Sequence, residues 1–380
     1  MTARVSPPSQ PFPSEIQTFL DARMKGRPPL WLFTTLVHDP RLFARFFAGS
    51  LLDDGSNLSL RNREIVIDRI TALSGSEYEW GVHVAIFGQD AGLTETQIAS
   101  IASGAASDPC WNAQESALIA ACDQLHAACE IDDATWTGLK AHFSDEAIIE
   151  LLMLAGRYRL VSYLTNALRM PLEPFAPRFP QGRPVGAAML DGNWPRQDQA
   201  VARISPAVPP LAPSVQARLD QRMKGRPPLT LFMTLARDAR LYERFFVSGM
   251  LDKGNLTLRN REIIIDRITA LSNSEYEWGV HVTFFGEKAE LTEAQIVSTA
   301  RGSATDACWN AQERALISAC EQLHATCDLD DQTWDELKAH FTDNAIIEIL
   351  MVAGSYRTVS YLTNATRMPL EGFARRFPDC

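Results

Sequence analysis

The heptapeptide MKGRPPL occurs twice, at residues 24–30 and 223–229, and it opens an internal match that runs through the rest of the chain. The offset is 199 residues until a one-residue deletion opposite Ser56 reduces it to 198. LRNREIVIDRITALSGSEYEWGVHV at 60–84 then pairs with LRNREIIIDRITALSNSEYEWGVHV at 258–282, and the match continues through CWNAQE, LKAHF and YLTNA to RFP at 178–180 and 376–378. This period is far longer than that of a solenoid repeat, so the chain reads as two tandem copies of one domain. The copies span about 4–180 and 203–378. The intervening 181–202 is rich in Gly, Pro and polar residues and reads as a linker. Each copy is long enough to bury a core without disulfides or metals.

Helical periodicity runs through both copies. Leu30–Gly49 carries apolar residues at helical spacing. Ser59 N-caps a helix over Leu60–Leu73. Ser76 and Glu79 have the form of a capping box that opens a helix from Glu77 to about Ala91, with Gly92 at its C-terminal side. Thr94 and Gln97 open another. Trp111–Ala128 follows, then a short helix from Asp132 or Asp133, and a long one from Asp145 to about Leu168 capped by Ser144. No run alternates with period two for long enough to form a sheet. The expected class is all-α, with six or seven helices per copy.

Hydrophobic residues make up 46% of the chain and charged residues 22%, and the net charge is -10. The balance argues against a nucleic-acid partner. The N-terminal stretch MTARVSPPSQPFPS has no apolar h-region, and no apolar run approaches a membrane span, since Glu150 breaks the greasiest one. A cytoplasmic location without membrane attachment is expected. Six of the seven cysteines form two equivalent sets, Cys110, Cys122, Cys129 and Cys308, Cys320, Cys327, with Cys380 left over. No pair is spaced C-x-x-C, and the odd number favours free thiols.

Glu79 and His83 are four residues apart on one expected helix, so their side chains share a face. Glu64 lies on the preceding helix, and a turn near residues 74–76 would bring it opposite. Two carboxylates and an imidazole at a helix contact form a proton-transfer set in which burial and pairing pull the pKa values in opposite directions. Copy 2 repeats the set as Glu262, Glu277 and His281. Each residue also has a structural reading: Glu79 as half of the capping box, His83 as a hydrogen-bonded core histidine, Glu64 as a solvated charge beside Arg61 and Arg63. Around the set, Ser76, Tyr78, Trp80 and His126, with their counterparts Ser274, Tyr276, Trp278 and His324, are candidate substrate contacts. Tyr158 and Asn166 on the last helix are further pocket candidates. Arg61 and Arg159 are either carboxylate binders or internal ion-pair partners. The helical spacing E-x-x-x-H differs from the E-x-x-H of di-iron bundles, and no phosphate loop or nucleophile elbow is present. No metal and no cofactor are expected.

The run R-x-R-E-[IV], then A-L-[SG]-x-S-E-Y-E-W-x-x-H and A-x-L-T-x-x-Q-I, resembles the carboxymuconolactone decarboxylase family of the alkylhydroperoxidase-D-like superfamily. The blocks at 110–118, 123–126 and 158–167 extend the likeness over nearly all of each copy. The resemblance implies that the family glutamate falls at Glu64 and the family histidine at His83. In the peroxidase branch, two cysteines would stand at positions 76 and 79, which here are Ser76 and Glu79. Without the dithiol, the resemblance implies a cofactor-independent lyase, isomerase or dehydratase acting on a small carbonyl- or carboxylate-bearing molecule, with Glu79 or His83 moving a proton. The alternatives are a thiol-dependent peroxidase using cysteines outside the motif, and a non-catalytic binding or assembly protein. The resemblance also implies dimers and trimers of dimers, so the fused copies are expected to form a pseudo-dimer that either stands alone or enters a larger homo-oligomer.

Overall fold

In a computed structural model of the chain, residues 3–180 and 202–379 are described. The expected linker, apart from residue 202, lies outside them. The first half contains α1 (Ser14–Met24), α2 (Trp31–Leu36), α3 (Pro40–Ala48), α4 (Leu60–Leu73), α5 (Glu77–Phe87), α6 (Glu95–Ser103), α7 (Ala113–Ala128), α8 (Asp133–Lys140) and α9 (Asp145–Ala167). The second half repeats them as α10 (Pro213–Met223), α11 (Thr230–Leu235), α12 (Ala239–Val247), α13 (Leu258–Leu271), α14 (Glu275–Phe285), α15 (Glu293–Arg301), α16 (Ala311–Thr326), α17 (Asp331–Lys338) and α18 (Asp343–Ala365). The chain is all-α, and no β-strand occurs among the described residues.

Nine helices per half exceed the six or seven expected. The α1 segment was not anticipated, and the expected Leu30–Gly49 helix is two helices. Asp39 makes the split: it is extended (φ -134°, ψ 107°), and its carboxylate caps α3 by accepting from the Arg41 and Leu42 amides. Asp238 makes the same break and cap in the second half, where Ala239 stands in place of Pro40. Other helix starts follow local chemistry. Ser59 accepts from the Asn62 amide, Thr94 and Gln97 form a reciprocal capping box, and Asp132 and Ser144 cap α8 and α9. At α5 the expected capping box is only half made: Ser76 Oγ accepts from the Glu79 amide at 3.4 Å, while the Glu79 carboxylate faces elsewhere. α5 also stops at Phe87, and Gly92 (φ +65°) sits in the turn that follows, bonded to the Gln89 carbonyl.

α4 is the axial helix of its half. Every residue from Glu64 to Leu73 is buried, and it packs against α5, α6, α7 and α9. α9 is buried along most of its length because it faces α4 on one side and α18 of the other half on the other. By length and composition α18 would pass for a membrane span, but 89% of that apolar window is buried inside the protein, as in an interior helix.

The halves meet through contacts that repeat across an approximate two-fold. Arg41 and Arg45 reach Asp252 at 3.0 and 3.1 Å, while Arg240 and Arg244 reach Asp53 at 2.9 and 2.7 Å. Glu150, the charge that interrupts the apolar run, pairs with Arg240, as Glu348 does with Arg41. Such reciprocity is the signature of an isologous interface, here within one chain. At its centre α9 and α18 cross at Gly156 and Gly354. A Cβ on Gly354 would lie 2.6 Å from Leu160 Cα, and one on Gly156 would lie 2.6 Å from Thr358 Cα.

The Gly354→Val variant is therefore expected to lose about 1–3 kcal/mol of unfolding free energy in urea, because the helices must separate. Gly372→Ala, where a Cβ meets nothing within 4 Å, serves as the neutral control. Equal stability of the two variants would refute the tight crossing.

Candidate active site

The tight turn between α4 and α5, with Gly75 at φ +65°, folds the helices back so that Glu64 faces His83. His83 Nδ1 lies 2.8 Å from Glu64 Oε2, and His83 Nε2 lies 3.5 Å from Glu79 Oε1 and 3.0 Å from the Tyr158 hydroxyl of α9. The second half repeats the arrangement: His281 Nδ1 to Glu262 at 2.7 Å, and Nε2 to Glu277 at 3.4 Å, with the Tyr356 ring edge-on to the imidazole. All of these side chains are buried. Thus the structure brings together Glu64, Glu79 and His83, and likewise Glu262, Glu277 and His281.

Burial alone would depress the His83 pKa. The Glu64 carboxylate at Nδ1, helped by Glu79, overcomes that penalty and pushes it up to about 10, and His281 is likewise pushed to about 10 by Glu262 and Glu277. At neutral pH each ring is an imidazolium. Asp68 and Asp266 complete the clusters, one helical turn beyond Glu64 and Glu262. Burial, and then the neighbouring Glu64 or Glu262 carboxylate, raises their pKa values well above the usual carboxylate range. Burial, and then Glu79, raises the Tyr158 hydroxyl, so it stays protonated. The second carboxylate oxygens of Glu79 and Glu277 have no hydrogen-bond partner among the described residues. Nor do those residues contain a group of three or more His, Cys, Asp or Glu arranged to hold a metal ion.

Glu277 and His281 stand on the wall of a cavity of about 590 Å³ between the two halves. Its apolar surface includes Leu231, Phe232, Phe246, Val280 and Phe284 from the second half and Met153 and Leu160 from the first. Arg157, Arg222, Arg226 and Lys288 also line it, and among the described residues none of the four has a carboxylate within ion-pair distance. Instead Arg222 lies over Phe246 at 4.8 Å, Arg226 over Phe284 at 5.5 Å and Lys288 over Phe285 at 5.4 Å.

The expected substrate contacts are engaged in internal packing and bonds, although the buried Trp80 indole N–H has no hydrogen-bond partner among the described residues. Ser76 bonds Thr165 at 2.7 Å and Ser274 bonds Thr363 at 2.8 Å. Tyr78 donates to Glu173 and accepts from the Leu32 amide, and Tyr276 does the same with Glu371 and Leu231. Trp80 packs on Phe179, and Trp278 packs on Phe377 while donating to Thr299. His126 Nδ1 accepts from Arg159 and His324 Nδ1 from Arg357, at 2.6 and 2.7 Å. Each arginine also crosses to a backbone carbonyl of the other half, Arg159 to His324 and Arg357 to His126. These histidines are interface braces. Burial and the nearby guanidinium groups hold both well below the usual imidazole range, so they are neutral. Arg159 is thus structural, and Arg61 is paired with Glu115 at 2.6 Å. Asn166 bonds the Ser74 and Cys327 carbonyls, away from the cavity.

Two groups escaped the sequence reading. Asp68 was legible as the residue four after Glu64, on the same helical face. Arg226 lies inside the repeated MKGRPPL block, and Arg222 immediately precedes it.

Cys122, Cys129, Cys320 and Cys327 are buried and free. Burial raises the Cys122 and Cys129 thiols and pushes Cys320 to about 12, away from thiolate reactivity.

The family model described as "Carboxymuconolactone decarboxylase family" matches residues 40–123 and 239–321. No curated protein and no solved structure matches the chain.

Two outcomes are expected. In a histidine NMR titration, His83 and His281 remain imidazolium at pH 7.5, while His126 and His324 remain neutral at pH 6. The reverse order would contradict the pairing. Thiol titration of the native protein before and after peroxide should give the same count, and loss of two thiols per chain would favour peroxidase chemistry.

Proposed function

The chain belongs, in both halves, to the carboxymuconolactone decarboxylase family, and from that premise we propose that it is a cofactor-independent acid/base enzyme acting on a carbonyl- and carboxylate-bearing molecule. The observation that carries this reading is the Glu277 carboxylate, with one oxygen unpartnered among the described residues, beside a His281 imidazolium on the wall of a cavity with four cations that lack carboxylate partners.

Glu277 is the base in this reading, since the imidazolium has no lone pair to accept a proton. In an isomerisation, Glu277 takes a proton from the carbon next to a carbonyl and returns it at another carbon. The electron pair passes through an enolate, whose charge the His281 imidazolium offsets. In a decarboxylation the carbon–carboxylate bond breaks, carbon dioxide leaves, and the same enolate takes its proton from the imidazolium. In a dehydration the enolate expels a β-hydroxyl group, protonated by that acid. Glu262 is a positioning residue: it fixes the ring through Nδ1 and sustains its charge. The Tyr356 hydroxyl, neutral because burial and then Glu277 raise its pKa, is a further proton donor at the ring's edge. The cations of the cavity suit the carboxylate of such a substrate.

A panel of β-keto acids and carboxylated lactones identifies the substrate by turnover. The Glu79→Gln/Glu277→Gln double variant is then expected to lose on the order of 10²–10⁴-fold in kcat. Undiminished turnover would remove the clusters from the mechanism. Glu64→Gln/Glu262→Gln lowers the imidazole pKa, so activity that needs the imidazolium falls off at a lower pH than in the wild type. An unmoved basic limb of the pH profile would contradict the role given to Glu262.

A further inference from the structure

The two clusters are alike, but the ground in front of them is not. The helix crossing places residue 157 of the first half and residue 355 of the second at equivalent positions. One is Arg and the other Ser. Arg157 lies flat on Phe46, 3.9 Å from the ring centre, and its guanidinium bonds the Phe46 carbonyl. Phe46 is buried beneath it, 6% exposed. Ser355 is too short to do this for Phe245, the counterpart of Phe46, which is partly exposed and lines the cavity together with Ser355. One turn on, Thr358 is the shorter counterpart of Leu160. The long side chain that covers Phe46 close to Glu79 therefore has no counterpart over Phe245, and Arg157 also lines the cavity at Glu277 and His281.

We infer that the chain has one ligand site for its two clusters, the cavity at Glu277 and His281, and that its ligand is an anion with a bulky apolar body, such as an aromatic or branched-acyl carboxylate. A cavity of about 590 Å³ exceeds what a small polar metabolite fills. Its Phe, Leu and Met side chains make most of the wall apolar, which suits an apolar body. The cations Arg222, Arg226 and Lys288 stand over aromatic faces rather than carboxylates, so an incoming carboxylate displaces no existing ion pair. That this ligand is the substrate rests on the proposed function. Its binding does not.

The experiment is isothermal titration calorimetry of the full chain with 2-naphthoate, and with neutral 2-naphthamide as the charge control. The expected result is one naphthoate per chain and affinity for the amide lower by about tenfold or more. Ser355→Arg fills the cavity and abolishes binding. Arg157→Ser opens the first side and raises the stoichiometry to two, a gain that misfolding cannot imitate. No saturable binding, two equal sites in the wild type, equal affinity for the amide, binding retained by Ser355→Arg, or a single site in Arg157→Ser would each overturn the inference. Because binding is read without turnover, a chain that takes one naphthoate yet keeps its activity without Glu79 and Glu277 refutes the catalytic reading and leaves this one standing.

Discussion

The close crossing of α9 and α18 governs the rest of the molecule. Two glycines, Gly156 and Gly354, let the helix backbones approach until each meets the other half's residues 358 and 160. Everything of interest on these helices is set within a few residues of that point. Tyr158 and Tyr356 face the imidazoles, Arg159 and Arg357 brace the interface, and Arg157 and Ser355 decide how much room lies before each cluster. The arginine–aspartate pairs of α3 and α12 fasten the periphery in reciprocal fashion. The cavity beside the second cluster has walls from both halves, so its shape depends on this crossing.

Within each half the governing cost is electrostatic. Three carboxyl groups and a histidine are buried around the contact of α4 and α5. Leaving that many charges unpaired in the interior would be severely destabilising. The cluster resolves the problem by pairing one carboxylate with an imidazolium and raising the pKa of Asp68 or Asp266. This resolution has a chemical consequence. The histidine, which by spacing alone competes with Glu79 for the role of base, is already protonated. The base is then the glutamate, and the ring becomes the acid and the site of charge stabilisation.

Much of this could be read in the sequence. The duplication, the all-helical class and most caps followed from repeats and periodicity, since these depend on local spacing. The Glu/Glu/His set was readable because i, i+4 geometry and one short turn suffice to specify it. One local signal was passed over: Leu30–Gly49 has helical periodicity throughout, yet Asp39 caps a new helix within it, as Asp238 does in the second copy. The rest of what escaped the reading depends on long-range packing. His126 lies in a conspicuous block, but only the docking of the two halves shows that it meets Arg159 across from His324. Ser76, Tyr78 and Trp80 flank Glu79 in sequence, but helical geometry turns them to other faces, where Thr165, Glu173 and Phe179 take up their contacts. The difference between Arg157 and Ser355 was visible in the alignment of the copies. Its meaning was not, because nothing in the sequence places that position before the cluster.

A crystal structure of the full chain grown with 2-naphthoate tests the central claim most directly. The account predicts the naphthalene among Phe232, Phe246 and Phe284, its carboxylate directed to an arginine of the cavity, with Glu277 and His281 at its edge and no ligand beside His83. Naphthoate at both clusters alike, or seated away from Glu277 and His281, would contradict it.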